Sequence, residues 1–107
     1  MIEVRRYQLE TGKVPVTDWL GGLRDARARA QIEVRLKRVM VGNFGDCKPV
    51  GDGVSELRVD IGAGYRVYLG QHGRVLVILL CGGDKASQQS DIKLAKDFWA
   101  DWKRRNS

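Results

Sequence analysis

The chain has 107 residues, with 19 Lys and Arg against 13 Asp and Glu, a formal charge of +6 and an isoelectric point near 9.7. Hydrophobic residues make up 43% and charged residues 30%, the balance of one globular domain rather than a disordered chain. The longest apolar run, Val75 to Cys81, falls far short of the roughly 20 residues of a membrane helix. Cys47, Cys81 and the single histidine, His72, are too few for a disulfide scaffold, a zinc finger or a His-rich metal centre. The N-terminus carries Glu3 and no apolar block, so it does not read as a signal peptide. The expectation is a cytoplasmic domain spanning residues 1–107, with no metal or other cofactor and no membrane association.

Ile2 to Leu9 reads as a strand ended by the Thr11-Gly12 turn signal. A short helix is predicted from Pro15, with Thr17 or Asp18 as its cap, and Gly21-Gly22 stops it. A longer helix follows from about Leu23 to Val41. Ile32, Leu36, Val39 and Met40 form its apolar stripe, while Arg24, Arg27, Arg35 and Arg38 lie mostly on the wet side. Gly42 or Asn43 suits the left-handed cap, and a Gly, Asp and Pro-rich loop runs to Gly53.

The period then changes from 3.6 to 2. Three strands, Val54 to Ile61, Tyr65 to Leu69 and Arg74 to Cys81, are joined by glycine turns as an antiparallel meander. The third is apolar on both faces and should be an interior, covered strand. A final helix from about Ser87 to Arg104 places Ile92, Ala95, Trp99 and Trp102 on one face, where the indoles read as core rather than base-stacking groups. The predicted fold is α+β: an antiparallel sheet of the N-terminal strand and the meander, packed against two N-terminal helices and a C-terminal helix.

Strand alternation sends Leu57, Val59, Tyr65, Val67 and Leu69 to the core, and Glu56, Arg58, Arg66 and Tyr68 to the other, open face. Arg58 and Arg66 would then be neighbours. Two close guanidinium groups repel unless an anion neutralises them, and a phosphate does so with paired hydrogen bonds. Glu56 and Asp60 could equally pair with them as surface salt bridges. Lys85 follows the last strand in Gly82-Gly83-Asp84-Lys85, where free N–H groups could help cradle an anion, although a turn and cap reads as well. Tyr68 could stack a base or sit at the core edge, and His72 reads as an exposed turn residue. A basic domain attracts polyanions, so some nucleic-acid affinity is expected.

Glu56-Leu57-Arg58-Val59, Gly64-Tyr65-Arg66-Val67-Tyr68 and Leu79-Leu80-Cys81-Gly82-Gly83-Asp84-Lys85, followed by Gln88 to Asp91, carry a family resemblance in that order. The chain resembles the RelE/ParE superfamily of toxins from bacterial toxin–antitoxin modules, closest to the HigB-like addiction-module killer proteins, and the similar layout covers nearly the whole sequence. The resemblance implies a small RelE-like domain acting as a metal-independent, ribosome-dependent endoribonuclease on messenger RNA. It also implies neutralisation by a cognate antitoxin, expected to be a helix-turn-helix protein encoded adjacently. By position, Arg58, Arg66 and Lys85 match basic residues that act on the scissile phosphate. The sequence departs from the pattern in having Glu56 where some members carry Lys, and Asp91 near the place of a catalytic Tyr.

In such a reaction the 2′-OH attacks the adjacent phosphate. Glu56 is then the candidate base, with Asp91 as the fallback. Tyr68, Asp91, Arg35 and Arg38 complete the expected RNA-binding set. A ParE-like inhibitor of DNA gyrase and a non-catalytic nucleic-acid-binding module are the alternative readings.

Overall fold

The computed structural model describes every residue from Met1 to Ser107. Its elements are β1 (Glu3–Arg6), α1 (Pro15–Gly22), α2 (Ala26–Met40), β2 (Cys47–Gly51), β3 (Val54–Val59), β4 (Tyr65–His72), β5 (Leu76–Asp84), a 3₁₀ turn (Lys85–Ser87) and α3 (Gln88–Arg105). The α+β class is as expected from the pattern, but the sheet differs in two respects. It has five strands in the order β1-β5-β4-β3-β2, and β1 runs parallel to β5, so the sheet is mixed rather than antiparallel. The added strand, β2, lies in the stretch predicted as loop. Pro49 costs little there because β2 is an edge strand, where one side of the backbone needs no ladder partner. No helix is long and apolar enough to cross a membrane.

Helix starts also shift. Pro15 occupies the first turn of α1 with Val14 at the cap, and no side chain caps it; Thr17 instead accepts a 2.9 Å hydrogen bond from Arg6. Asp25 caps α2 by accepting from the Ala28 N–H at 3.0 Å, which starts that helix three residues later than predicted.

The sheet is the middle layer of three. On one face α1 and α2 bury Val16, Leu20, Ile32, Leu36 and Val39 against Leu57, Val59, Val67, Leu69, Val77 and Leu79. On the other, Ala95 and Trp99 of α3 cover Tyr68, Ile78 and Leu80. β5 therefore needs apolar side chains on both faces, as its sequence indicates. Met40, expected in the buried stripe of α2, is 40% exposed.

Close approach to glycine sets how the helices seat. A Cβ at Gly82 would lie 2.2 Å from the Trp19 ring on one face, and one at Gly70 would lie 2.4 Å from the Trp99 ring on the other. Gly70→Ala should therefore push the Trp99 indole away and destabilise the fold by about 1–3 kcal/mol, the usual cost of overpacking. A urea midpoint unchanged from wild type would contradict this seating of α3.

Candidate functional site

The β3–β4 register sets Arg58 directly opposite Arg66, and Glu56 opposite Tyr68, so the two arginines share a face as alternation predicts. That face is not open along its length. α3 crosses it, and Tyr68, expected to be available for stacking, is wholly buried beneath the helix. Glu56 is also wholly buried, contrary to the outward placement predicted for it.

Glu56 is the junction of the cluster. Its Oε1 accepts from Arg58 Nε at 2.8 Å, and its Oε2 accepts from Tyr68 Oη at 3.0 Å and from Gln88 Nε2 at 2.9 Å. Arg66 Nε lies 3.5 Å from Oε2, close enough for ion pairing but outside hydrogen-bond geometry. Burial alone would raise the Glu56 pKa, but the hydrogen bonds from Arg58, Gln88 and Tyr68 outweigh it and hold the carboxyl below its ordinary value. Burial and the same carboxylate push the Tyr68 hydroxyl up, so it stays protonated as a donor. An ionised Glu56 bonded by three donors is a poor acceptor for a further proton.

The arginines retain donor capacity. Arg58 keeps a third of its side chain exposed and bonds Glu56 only through Nε, leaving both Nη groups without a protein acceptor. The Arg66 side chain is 8% exposed; Nη1 donates to the Gly64 carbonyl at 2.8 Å, and Nε is buried with no hydrogen-bond partner. Its Nη2 has no protein acceptor either and keeps contact with solvent. Lys85 is exposed and unpaired at the start of the 3₁₀ turn. A Cβ at Gly64 would stand 3.5 Å from both Arg66 Nη1 and Lys85 Cβ, so the β3–β4 turn packs against the Arg66 guanidinium and the root of the Lys85 side chain. Lys85 also borders two shallow depressions, one lined by residues 60–64 and the other by residues 86–90.

Other expectations change. β5 runs on through Gly82–Asp84, and Asp84 Oδ1 accepts from the Ala86 and Ser87 N–H groups, so these are not free to cradle an anion. Arg35 is a structural fastener: Nη1 donates to the Arg58 carbonyl at 2.5 Å, and Nη2 donates to those of Phe44 and Asp46. Arg38 is exposed on α2, which packs the opposite face of the sheet. Asp91 lies over Gly83, the cross-strand neighbour of Arg66, and accepts from Ser87 Oγ. Trp99 is buried and stacks on Trp102 with ring centroids 5.1 Å apart, and exposed His72 meets the Trp102 edge.

Two residues have no role assigned from sequence. Gln88 is a polar residue in a helix start whose partner is 32 positions away. Lys48 lies across from Glu56 on β2, so it shares the face of the arginines, and only the unrecognised strand would have placed it there.

No family profile matches the chain. An uncharacterized protein of Haemophilus influenzae is 60% identical over 78 residues, which cover 73% of this chain and 79% of that protein. The chain belongs to one family with it.

Proposed function

We propose that this chain, a member of the family it shares with the Haemophilus influenzae protein, is a HigB-like toxin of the RelE/ParE type. In this reading it cleaves messenger RNA on the ribosome in the cytoplasm, and a cognate antitoxin neutralises it. The observation that carries the proposal is the cross-strand Arg58–Arg66 pair, with both Nη groups of Arg58 and Nη2 of Arg66 unclaimed by protein and the exposed Lys85 rooted beside the same turn. The α+β fold, which sets both arginines opposite each other on one face of the sheet at the start of α3, supports the finer RelE-like assignment.

The 2′-OH of the message, giving its proton to a base, attacks the adjacent phosphate, and the 5′-oxygen of the next nucleotide leaves and takes a proton from water, giving a 2′,3′-cyclic end and a free 5′-OH. Negative charge accumulates on the phosphoryl oxygens in the transition state, and preorganised donors aimed there supply the largest stabilisation. Arg58 and Arg66 offer forked donors, and Lys85 adds a point charge. Glu56 is a positioning residue: it holds Arg58, draws Arg66 inward, and through Gln88 ties the start of α3 to both. Asp91, whose Oδ1 accepts no hydrogen bond, is the carboxylate on this face that takes the 2′-OH proton. The ribosome holds the message in a reactive conformation, which reduces what the protein must arrange.

Primer extension on messenger RNA after brief expression should show new 5′ ends within coding regions. A gyrase supercoiling assay run beside it should show no inhibition. Intact messages with blocked supercoiling would replace this proposal by the ParE-like reading, and neither effect would leave a non-catalytic binding module.

A further inference from the structure

The charge surplus of the protein is not at the arginine pair. Residues 24–38 hold six cations against two acids, four of the six net positive charges. Of these cations, Arg24, Arg27, Lys37 and Arg38 are exposed and join no ion pair; Glu33 is taken by Arg6 at 3.7 Å. The same helix exposes apolar side chains: Val34 is 40% exposed, Met40 40%, and Val41, at the C-terminal cap, 70%.

These residues are ordered. Arg27, Gln31, Val34, Arg38 and Val41 follow one another at intervals of four, three, four and three, and all are exposed. That interval keeps one narrow seam facing a neighbouring helix. Along its flank, Val4, Leu36, Met40 and Leu79 line a shallow groove bordered by Lys37 and by the Arg6–Glu33 ion pair.

We propose that the outer seam of α2 is a docking surface for an acidic amphipathic helix of another protein. Acidic side chains of the partner meet Arg27, Lys37 and Arg38, and its apolar side chains cover Val34 and Val41. A second copy of this chain is disfavoured as occupant, because its own seam would bring cation against cation. A nucleic-acid backbone would satisfy the arginines and leave the valines uncovered. The seam lies on the face of the sheet away from Arg66, so an occupied seam leaves the arginine pair accessible. The inference does not depend on nuclease activity.

The test uses the whole protein and a fluorescein-labelled synthetic helix with Leu placed to meet Val34 and Val41 and Glu placed to meet Arg27, Lys37 and Arg38. The controls are a scrambled peptide of equal composition and a short oligouridylate. The ordered peptide should bind at micromolar concentration and gain helicity, and the scrambled one should bind at least tenfold more weakly. Val34→Asp and Arg38→Glu, both at solvent-exposed positions, should each weaken binding about tenfold, and circular dichroism should be unchanged. Equal binding of the two peptides would reduce the seam to plain charge attraction. Tighter oligouridylate binding that both substitutions abolish would assign it to nucleic acid. Concentration-dependent dimerisation lost in Val34→Asp would assign it to a second copy. Each of these outcomes overturns the proposal, as does failure of the ordered peptide to bind.

Discussion

Replacing Arg66 by alanine is expected to abolish growth arrest and lower messenger cleavage by about 10²–10³-fold, the usual loss when one preorganised donor to a transition-state oxyanion is removed. The variant should still fold. Glu56 keeps its hydrogen bonds from Arg58, Tyr68 and Gln88, so it remains a satisfied buried carboxylate. Arg66→Lys should not restore activity, because a lysine offers a point charge where the site presents a forked donor at the end of a strand. The measurements are growth after induction, primer extension, and thermal unfolding of the purified variants. A soluble, cooperatively folding Arg66→Ala protein that arrests growth like wild type would sink the catalytic assignment.

Replacing Glu56 acts first on the fold. Glu56→Ala leaves two converging arginines, a buried tyrosine hydroxyl and Gln88 without their common acceptor. Breaking a buried ion pair from one side costs about 3–5 kcal/mol, more than the expected effect of Gly70→Ala. Glu56→Gln keeps the shape and part of the bonding, and should fall between the two.

Acid should imitate the loss. The Glu56 pKa is depressed in the folded protein, so its contribution is present above the ordinary carboxylate value of 4.5 and is lost as pH falls through the lower folded value. Urea midpoints measured from pH 7 down to pH 3 should fall for wild type and fall less for Glu56→Gln. If Glu56 were instead the general base, the acidic limb of the cleavage rate would vanish in Glu56→Gln. The geometry predicts that this limb persists in whatever activity remains.

The residues made legible from sequence are those whose placement depends on local periodicity. Two-residue alternation is enough to put Arg58 and Arg66 on one face, because their strands are joined by the short turn at residues 60–64. The same reasoning identifies β5 as a strand covered on both sides and Trp99 as core. What depends on distant parts of the chain was not legible. Tyr68 alternates outward from the meander core, but α3, arriving some twenty residues later, makes that side a second core. Arg35 falls on the polar side of its helix, yet its guanidinium reaches three backbone carbonyls contributed by β3 and the segment before β2.

Glu56 shows the largest gap between pattern and structure. Its position next to arginines was visible, but its chemistry depends on Gln88 and Tyr68, which only the folded chain brings to it. β2 was hidden by glycine and proline at its ends and middle, residues that usually mark loops and are tolerated here because the strand is at the sheet edge. The parallel pairing of β1 with β5 joins segments more than seventy residues apart, and no local signal specifies it.

The most direct test of an anion seat between β3 and β4 is nuclear magnetic resonance of the arginine Nε–Hε groups during titration with a short RNA carrying a 2′-deoxy residue at the cleavage point. The Arg58 and Arg66 signals should move together and saturate at one equivalent, ahead of Arg24 and Arg27 on α2. Saturable shifts confined to the α2 arginines, with Arg58 and Arg66 unmoved, would contradict the account.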